Sequence, residues 1–149
     1  MSALLTKSFE LGYTYTRSTG PVIGACLTAL REGRILGARA ADGQVFVPAL
    51  EYDPRDGAAL SDLVPVADTG TVTTWCWVHQ PLSHHLLQRP FAFALVRLDG
   101  ADIALLHLVD TGVETRMRSG LRVRARWAAE RRGAITDIEC FEPVAEDQP

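Results

Sequence analysis

The sequence predicts a mainly β chain in which an N-terminal helix and a small hairpin unit precede a five- to six-stranded barrel of the OB type. Three observations predict it. Apolar residues recur at helical spacing only once, between a Pro and a Gly near residues 21 and 33. An Asp-Gly pair at 42–43 stands between two short apolar runs, the strongest short-range hairpin signal. From residue 60 onward, short apolar runs alternate with Gly, Pro and Asp turns at the spacing of a small Greek-key barrel.

Taken in order, residues 1–19 read as an N-terminal extended segment, because Tyr and Thr alternate in "YTYTRSTG". The helix follows: Ser18, Thr19 or Gly20 caps it, Pro21 suits its first turn, and Val22, Ile23, Cys26, Leu27 and Leu30 form one apolar face before Gly33 ends it. Ile35–Ala38 and Val45–Val47 are the arms of the hairpin, and Pro48 and Pro54 keep the chain turning until Asp56-Gly57. The helix and hairpin make a unit over 20–58 with little core of its own. The barrel, 59–143, takes its strands from Leu63–Val66, Gly70–Val78, Phe91–Leu98, Ile103–Val109, Leu121–Trp127 and Ala134–Phe141. Within it, Leu121, Val123, Ala125 and Trp127 alternate with Arg122, Arg124 and Arg126, one face buried and one wet. Residues 144–149 read as a flexible tail.

Composition narrows the function. The 149 residues carry 15 basic and 18 acidic side chains, a net charge of −3, which favours no polyanion-seeking role. Three unpaired-looking cysteines, Cys26, Cys76 and Cys140, fit a reducing cytoplasm better than a disulfide scaffold. No signal-like or bilayer-length apolar run occurs, so the reading is a soluble chain without a membrane role.

Catalytic constellations are sparse. His79, His84, His85 and His107 lie in no metal-ligand or base motif, and His84 and His85 read as solvated loop residues. Ser83 and Ser119 lack a nucleophile-elbow context, and Cys76, between Trp75 and Trp77, reads as a buried inert thiol. Two readings stand for the aromatic series Trp75, Trp77 and His79: core filling, or anchors that, with Arg89 and Phe91, meet a partner. Arg122, Arg124 and Arg126 head the only basic concentration. They read as a solvated strand face, as contacts to a partner or to coenzyme A phosphates, or as a single-strand nucleic-acid surface.

The order helix, "ALREGRILGAR", hairpin, "FVP", turn, barrel resembles a family of acyl-CoA-associated proteins that join an N-terminal helix and a rubredoxin-like zinc ribbon to an OB-fold, a domain of unknown function found with thiolases. "GTVTTWCWVHQPL", "RPFAFALVRLDG", "ALLHLVD" and "MRSGLRVRARW" continue the resemblance, which covers nearly all of 20–142. Members usually carry two C-x-x-C-G knuckles. Aligning Gly43, "VFVP" at 45–48 and Gly57 puts Arg39, Asp42, Asp53 and Asp56 where the four thiolates would stand. One Arg and three Asp cannot make a tetrahedral thiolate cage, so the ribbon is expected to be metal-free, held by packing and by Arg39 pairing with an Asp.

The sequence resembles most a cysteine-less subset that partners thiolase-like steroid side-chain aldolases. The resemblance implies a noncatalytic subunit without a cofactor of its own, built onto a thiolase-like partner whose substrate is an acyl-CoA, in lipid or cholesterol catabolism. The alternative is an autonomous OB-fold protein that binds single-stranded nucleic acid.

Overall fold

The structure, a computed structural model, describes residues 7–16 and 18–144. The expected tail at 145–149, and residues 1–6 and 17 of the expected N-terminal segment, lie outside these. No helix among the described residues is long and apolar enough to cross a membrane.

The helix α1 spans Pro21–Arg31, with Pro at the first helical position. It ends at Gly33, whose φ of 74° suits only glycine without strain. Gly20 is the N-cap residue, and no side chain from 18–20 caps the helix amides. Instead the Glu51 carboxylate, 29 residues along, accepts the amide hydrogens of Val22 and Ile23 at 3.1 Å each. A carboxylate there satisfies two orphan amides and meets the positive end of the helix dipole. Glu51→Ala is expected to cost about 1 kcal/mol in urea unfolding, the usual worth of a helix cap, and Glu51→Gln less. Equal losses for the two variants would count against this role.

β1 (Ile35–Arg39) and β2 (Val45–Phe46) form the expected hairpin, turning through Gly43 at φ 90°. β3 (Asp62–Val66) lies antiparallel to the other side of β1, from Ile35↔Val66 to Arg39↔Asp62, giving the order β2-β1-β3. The run 63–66, read as the first barrel strand, therefore belongs to the ribbon sheet. Helix and ribbon share a small core of Val22, Ala38, Ala40, Phe46, Ala49 and Leu60.

The barrel is built from β4 (Thr69–Val78), β5 (Phe91–Leu98), β6 (Leu105–Val109), β7 (Arg122–Trp127) and β8 (Ile138–Pro143). Its order is β4-β5-β6-β8-β7, closing back on β4, with β6 and β8 parallel and every other pair antiparallel. This is the five-stranded Greek-key closure of an OB-fold. Its interior holds Val72, Ala92, Ala94, Val96, Leu98, Val109, Leu121, Val123 and Phe141.

His107 sits inside this core, its ring edge-on to Phe141 at 5.5 Å. Nε2 is 3.5 Å from the Ile135 carbonyl and Nδ1 has no hydrogen-bond partner among the described residues. Burial holds its pKa below that of a free imidazole. The unfolded chain thus takes up the proton first as pH falls through about 6.5, and stability is lost from there down to the depressed folded value. Urea midpoints are expected to fall between pH 8 and 5.5, and to fall less in His107→Leu. An identical fall in both proteins would remove His107 as the cause.

Candidate partner-facing surface

Strand parity divides the barrel into an inner and an outer face. In β5, Ala92, Ala94, Val96 and Leu98 point inward, which turns Phe91, Phe93 and Leu95 outward. Cross-strand pairing adds Val78, Cys76 and Thr74 from β4 and Leu108 and Leu106 from β6 to the same outer side. Apolar residues on both faces of a strand imply cover on both faces.

The loop 79–90 supplies half of that cover. Leu87 seals a satellite core of Phe91, Leu108 and Cys140, with Val78 and Phe93 beside it. His85 organises the loop: its Nδ1 accepts the Leu82 amide hydrogen at 3.1 Å, and its ring stands edge-on to Phe91 and Phe93 at 5.3 and 5.7 Å. It is half-buried, not a solvated loop histidine as expected. The other half of the face is open. Leu106 is 61% exposed opposite Leu95, Cys76 is exposed opposite Phe93, and Leu82 and Leu86 stand exposed on the loop.

The proposed partner anchors are redistributed accordingly. Phe91 is 0% exposed and cannot meet a partner. Trp75 and Trp77 pair with the inward Ala94 and Ala92 and pack half-buried against the main core. Cys76 is not the buried thiol expected, because the bulge between Val72 and Thr74 shifts the parity of β4 by one residue. His79 remains exposed, 3.8 Å from Glu114. Leu95 and Leu106, at the centre of the open half, were not singled out in the sequence. The signal was present in "FAFALVRL" and "LLHLV", which are apolar on both parities.

The three barrel arginines are all engaged. Arg122 donates to both Asp99 oxygens at 2.8 and 2.6 Å and to Thr71 at 3.0 Å. That guanidinium, with the Thr69 hydroxyl, lowers the Asp99 pKa to about 2. Arg124 lies 4.0 Å from Asp68. Arg126 binds Glu139 at 2.9 Å, Glu142 at 3.1 Å and the buried Asp110 at 3.3 Å. Arg89 also pairs with Asp110, so two residues assigned to different roles converge on one carboxylate. Arg116 joins them around a polar cavity of about 280 Å³. Burial raises the pKa of the neighbouring Cys140 thiol to about 12, leaving it an inert thiol.

The four ribbon positions Arg39, Asp42, Asp53 and Asp56 do line one cavity, of about 360 Å³. Arg39, however, pairs outside it, with Asp62 at 2.7 Å. The crosslink comes from Arg55, which holds Asp42 at 2.5 Å and Asp53 at 2.9 and 2.6 Å. Its guanidinium keeps both carboxyls below the usual range, Asp42 at about 2. Asp42 and Asp56 also accept the Gln44 and Ala58 amide hydrogens. With its hard oxygen donors occupied by a cation and by backbone amides, the cluster does not fit zinc. Among the described residues, no group of three or more His, Cys, Asp or Glu is arranged to hold a metal ion.

No curated protein matches the sequence. Several solved structures share the fold. A DUF35-family protein of unknown function from Sulfolobus solfataricus is 21% identical, with a TM-score of 0.56 over 72% of this chain and 78% of that one. A chain of the Ltp2–ChsH2 (DUF35) aldolase is 23% identical, with a TM-score of 0.61 over 85% of this chain and 98% of that one. A family model, the C-terminal OB-fold domain of ChsH2, matches residues 63–128. Over these residues the chain is similar to the OB-fold family of the ChsH2 C-terminal domain.

Proposed function

We propose that the chain is a noncatalytic OB-fold subunit of a thiolase-like aldolase that cleaves steroid side-chain CoA thioesters in the cytoplasm. The observation that carries the reading is the match to 98% of one chain of the Ltp2–ChsH2 aldolase, which leaves almost nothing of that chain without a counterpart here. The half-covered outer face of β4, β5 and β6 adds to it, since an open apolar strip of Leu95 and Leu106 is a cost that a partner subunit removes. The ion-paired state of Arg122, Arg124 and Arg126 weighs against the nucleic-acid alternative, whose phosphate contacts would have to displace carboxylates.

In a retro-aldol step, a base removes the β-hydroxyl proton, the Cα–Cβ bond breaks, and its electron pair passes to the thioester enolate, which is then protonated. Those groups belong to the partner in this reading. This chain shapes and stabilises the complex, and acyl-CoA is the substrate of the whole.

Coexpression with candidate thiolase-like proteins, followed by intact-complex mass measurement and a retro-aldol assay, tests the reading. The expected result is a hetero-oligomer that makes product and an isolated chain that does not. A monodisperse chain that binds none of those proteins would overturn it.

A further inference from the structure

The segment before α1 is written as a strand that has no sheet. Phe9, Leu11, Tyr13 and Tyr15 alternate with Ser8, Glu10, Gly12, Thr14 and Thr16, the period-two pattern of a half-buried strand. All four are open to solvent, between 63% and 83% exposed. Residues 8–16 have no regular secondary structure and make no hydrogen bond, ion pair or ring contact among the described residues. Their backbone donors and acceptors and their apolar edge are both uncommitted.

This chain offers them no adequate edge. β1 is flanked on both sides, and the barrel closes through β4 and β7 only at Thr69–Thr71, which leaves Thr73–Val78 of β4, six residues, as an open edge shorter than the arm. The free edges of the ribbon are β2, two residues long, and β3, five residues interrupted by Pro65, which has no amide hydrogen to share. β6 pairs with β8 only at Val109, but its remaining residues run beside the 135–137 turn, whose Ile135 carbonyl lies against His107. A nine-residue strand spans about 30 Å and needs an edge of similar length. A second copy of the chain presents the same short edges, so it is no better a host.

We propose that residues 8–16 add as an edge strand to an exposed sheet of the catalytic subunit, with Phe9, Leu11, Tyr13 and Tyr15 buried on that subunit's surface. Backbone pairing supplies the attachment and the four apolar side chains set its register. The inference rests on the accessory-subunit reading and names one of the surfaces through which that reading operates.

The test uses the full chain and the thiolase-like subunit that it captures on coexpression. Residue-resolved amide exchange is measured on the free chain and on the complex. In the free chain, amides 8–16 should exchange freely. In the complex they should be protected at every second residue, because one edge of a strand donates only alternate amides. Deleting residues 1–16 should leave the melting temperature unchanged and weaken the complex at least tenfold. Of Tyr13→Pro and Thr14→Pro, at least one should weaken it as much, while Tyr13→Phe should not.

Unchanged affinity after deletion would overturn the inference and leave the accessory-subunit reading standing. Protection of the arm in the free chain, or a lowered melting temperature on deletion, would overturn it by showing that the arm folds onto its own chain or a copy of it. Failure of the full chain to bind any thiolase-like subunit would overturn both.

Discussion

Phe91→Ala is expected to destabilise the chain by about 3–5 kcal/mol, the range for truncating a fully buried aromatic. Phe91 is 0% exposed and is the floor of the satellite core, with Leu87 above it, Leu108 and Cys140 beside it, and Phe93 edge-on at 5.1 Å. The loop 79–90 has few other attachments to the barrel, so the loss should appear there first. Its amides should exchange at a much lower opening energy while those of β7 stay protected to the global limit. Leu106→Asp, on the open half of the same face, should change stability by no more than about 0.5 kcal/mol, yet weaken binding of the thiolase-like subunit. The pair separates a side chain that seals the fold from one that faces outward. If Phe91→Ala were neutral to folding and Leu106→Asp were not, the division of the outer face into covered and open halves would be wrong.

That division also marks where sequence reasoning reached and where it stopped. The helix, the Asp42-Gly43 hairpin and the barrel strands were legible because each is announced locally, by apolar periodicity and by Gly, Pro and Asp at fixed offsets. Parity was not legible. The bulge at Thr73 carries no residue signature, and without it Cys76 points inward and Trp75 and Trp77 outward, which inverts the interface reading of that strand. The assignment of 63–66 failed for a related reason: a four-residue apolar run states that it pairs, not with what, and β1 is as good a neighbour as β4. Glu51 was invisible as a cap because its partner helix begins 30 residues earlier.

In the ribbon Arg39 does pair with an Asp, Asp62, but the crosslink between the two turns comes from a residue that the sequence reading passed over. Arg39 was the obvious cation because it occupies a ligand position, but β1 pairing with β3 sets it opposite Asp62, at the rim. Arg55 follows Asp53 by two residues, and its own amide hydrogen bonds Asp53 at 2.9 Å, which turns the guanidinium back over Asp53 and across to Asp42. The "DPRDG" stretch held half of that information, an Arg two residues after an Asp in a turn, while Asp42 lies thirteen residues before Arg55 on the other turn.

The cavity that the four ribbon positions share leads to the second large effect. Replacing Arg39, Asp42, Asp53 and Asp56 together by cysteine is expected to create a zinc site, because the four positions already line one cavity on two turns that pass through Gly43 and Gly57 at positive φ. Four thiolates at those positions would supply the soft tetrahedral donor set that three carboxylates and a guanidinium lack. The variant should bind one zinc ion per chain, and free zinc at a thousand times its dissociation constant should stabilise it by about 4 kcal/mol through linkage. Chelation should return it to or below the stability of the parent chain, because the Arg55 crosslink has lost both of its partners. The parent chain should take up no stoichiometric zinc in the same titration, and a parent that does so would show that the carboxylate cluster is a metal site. A folded four-cysteine variant that binds no zinc would show that the ribbon has relaxed away from ligand geometry. Arg55 would then set the shape of the turns as well as crosslink them.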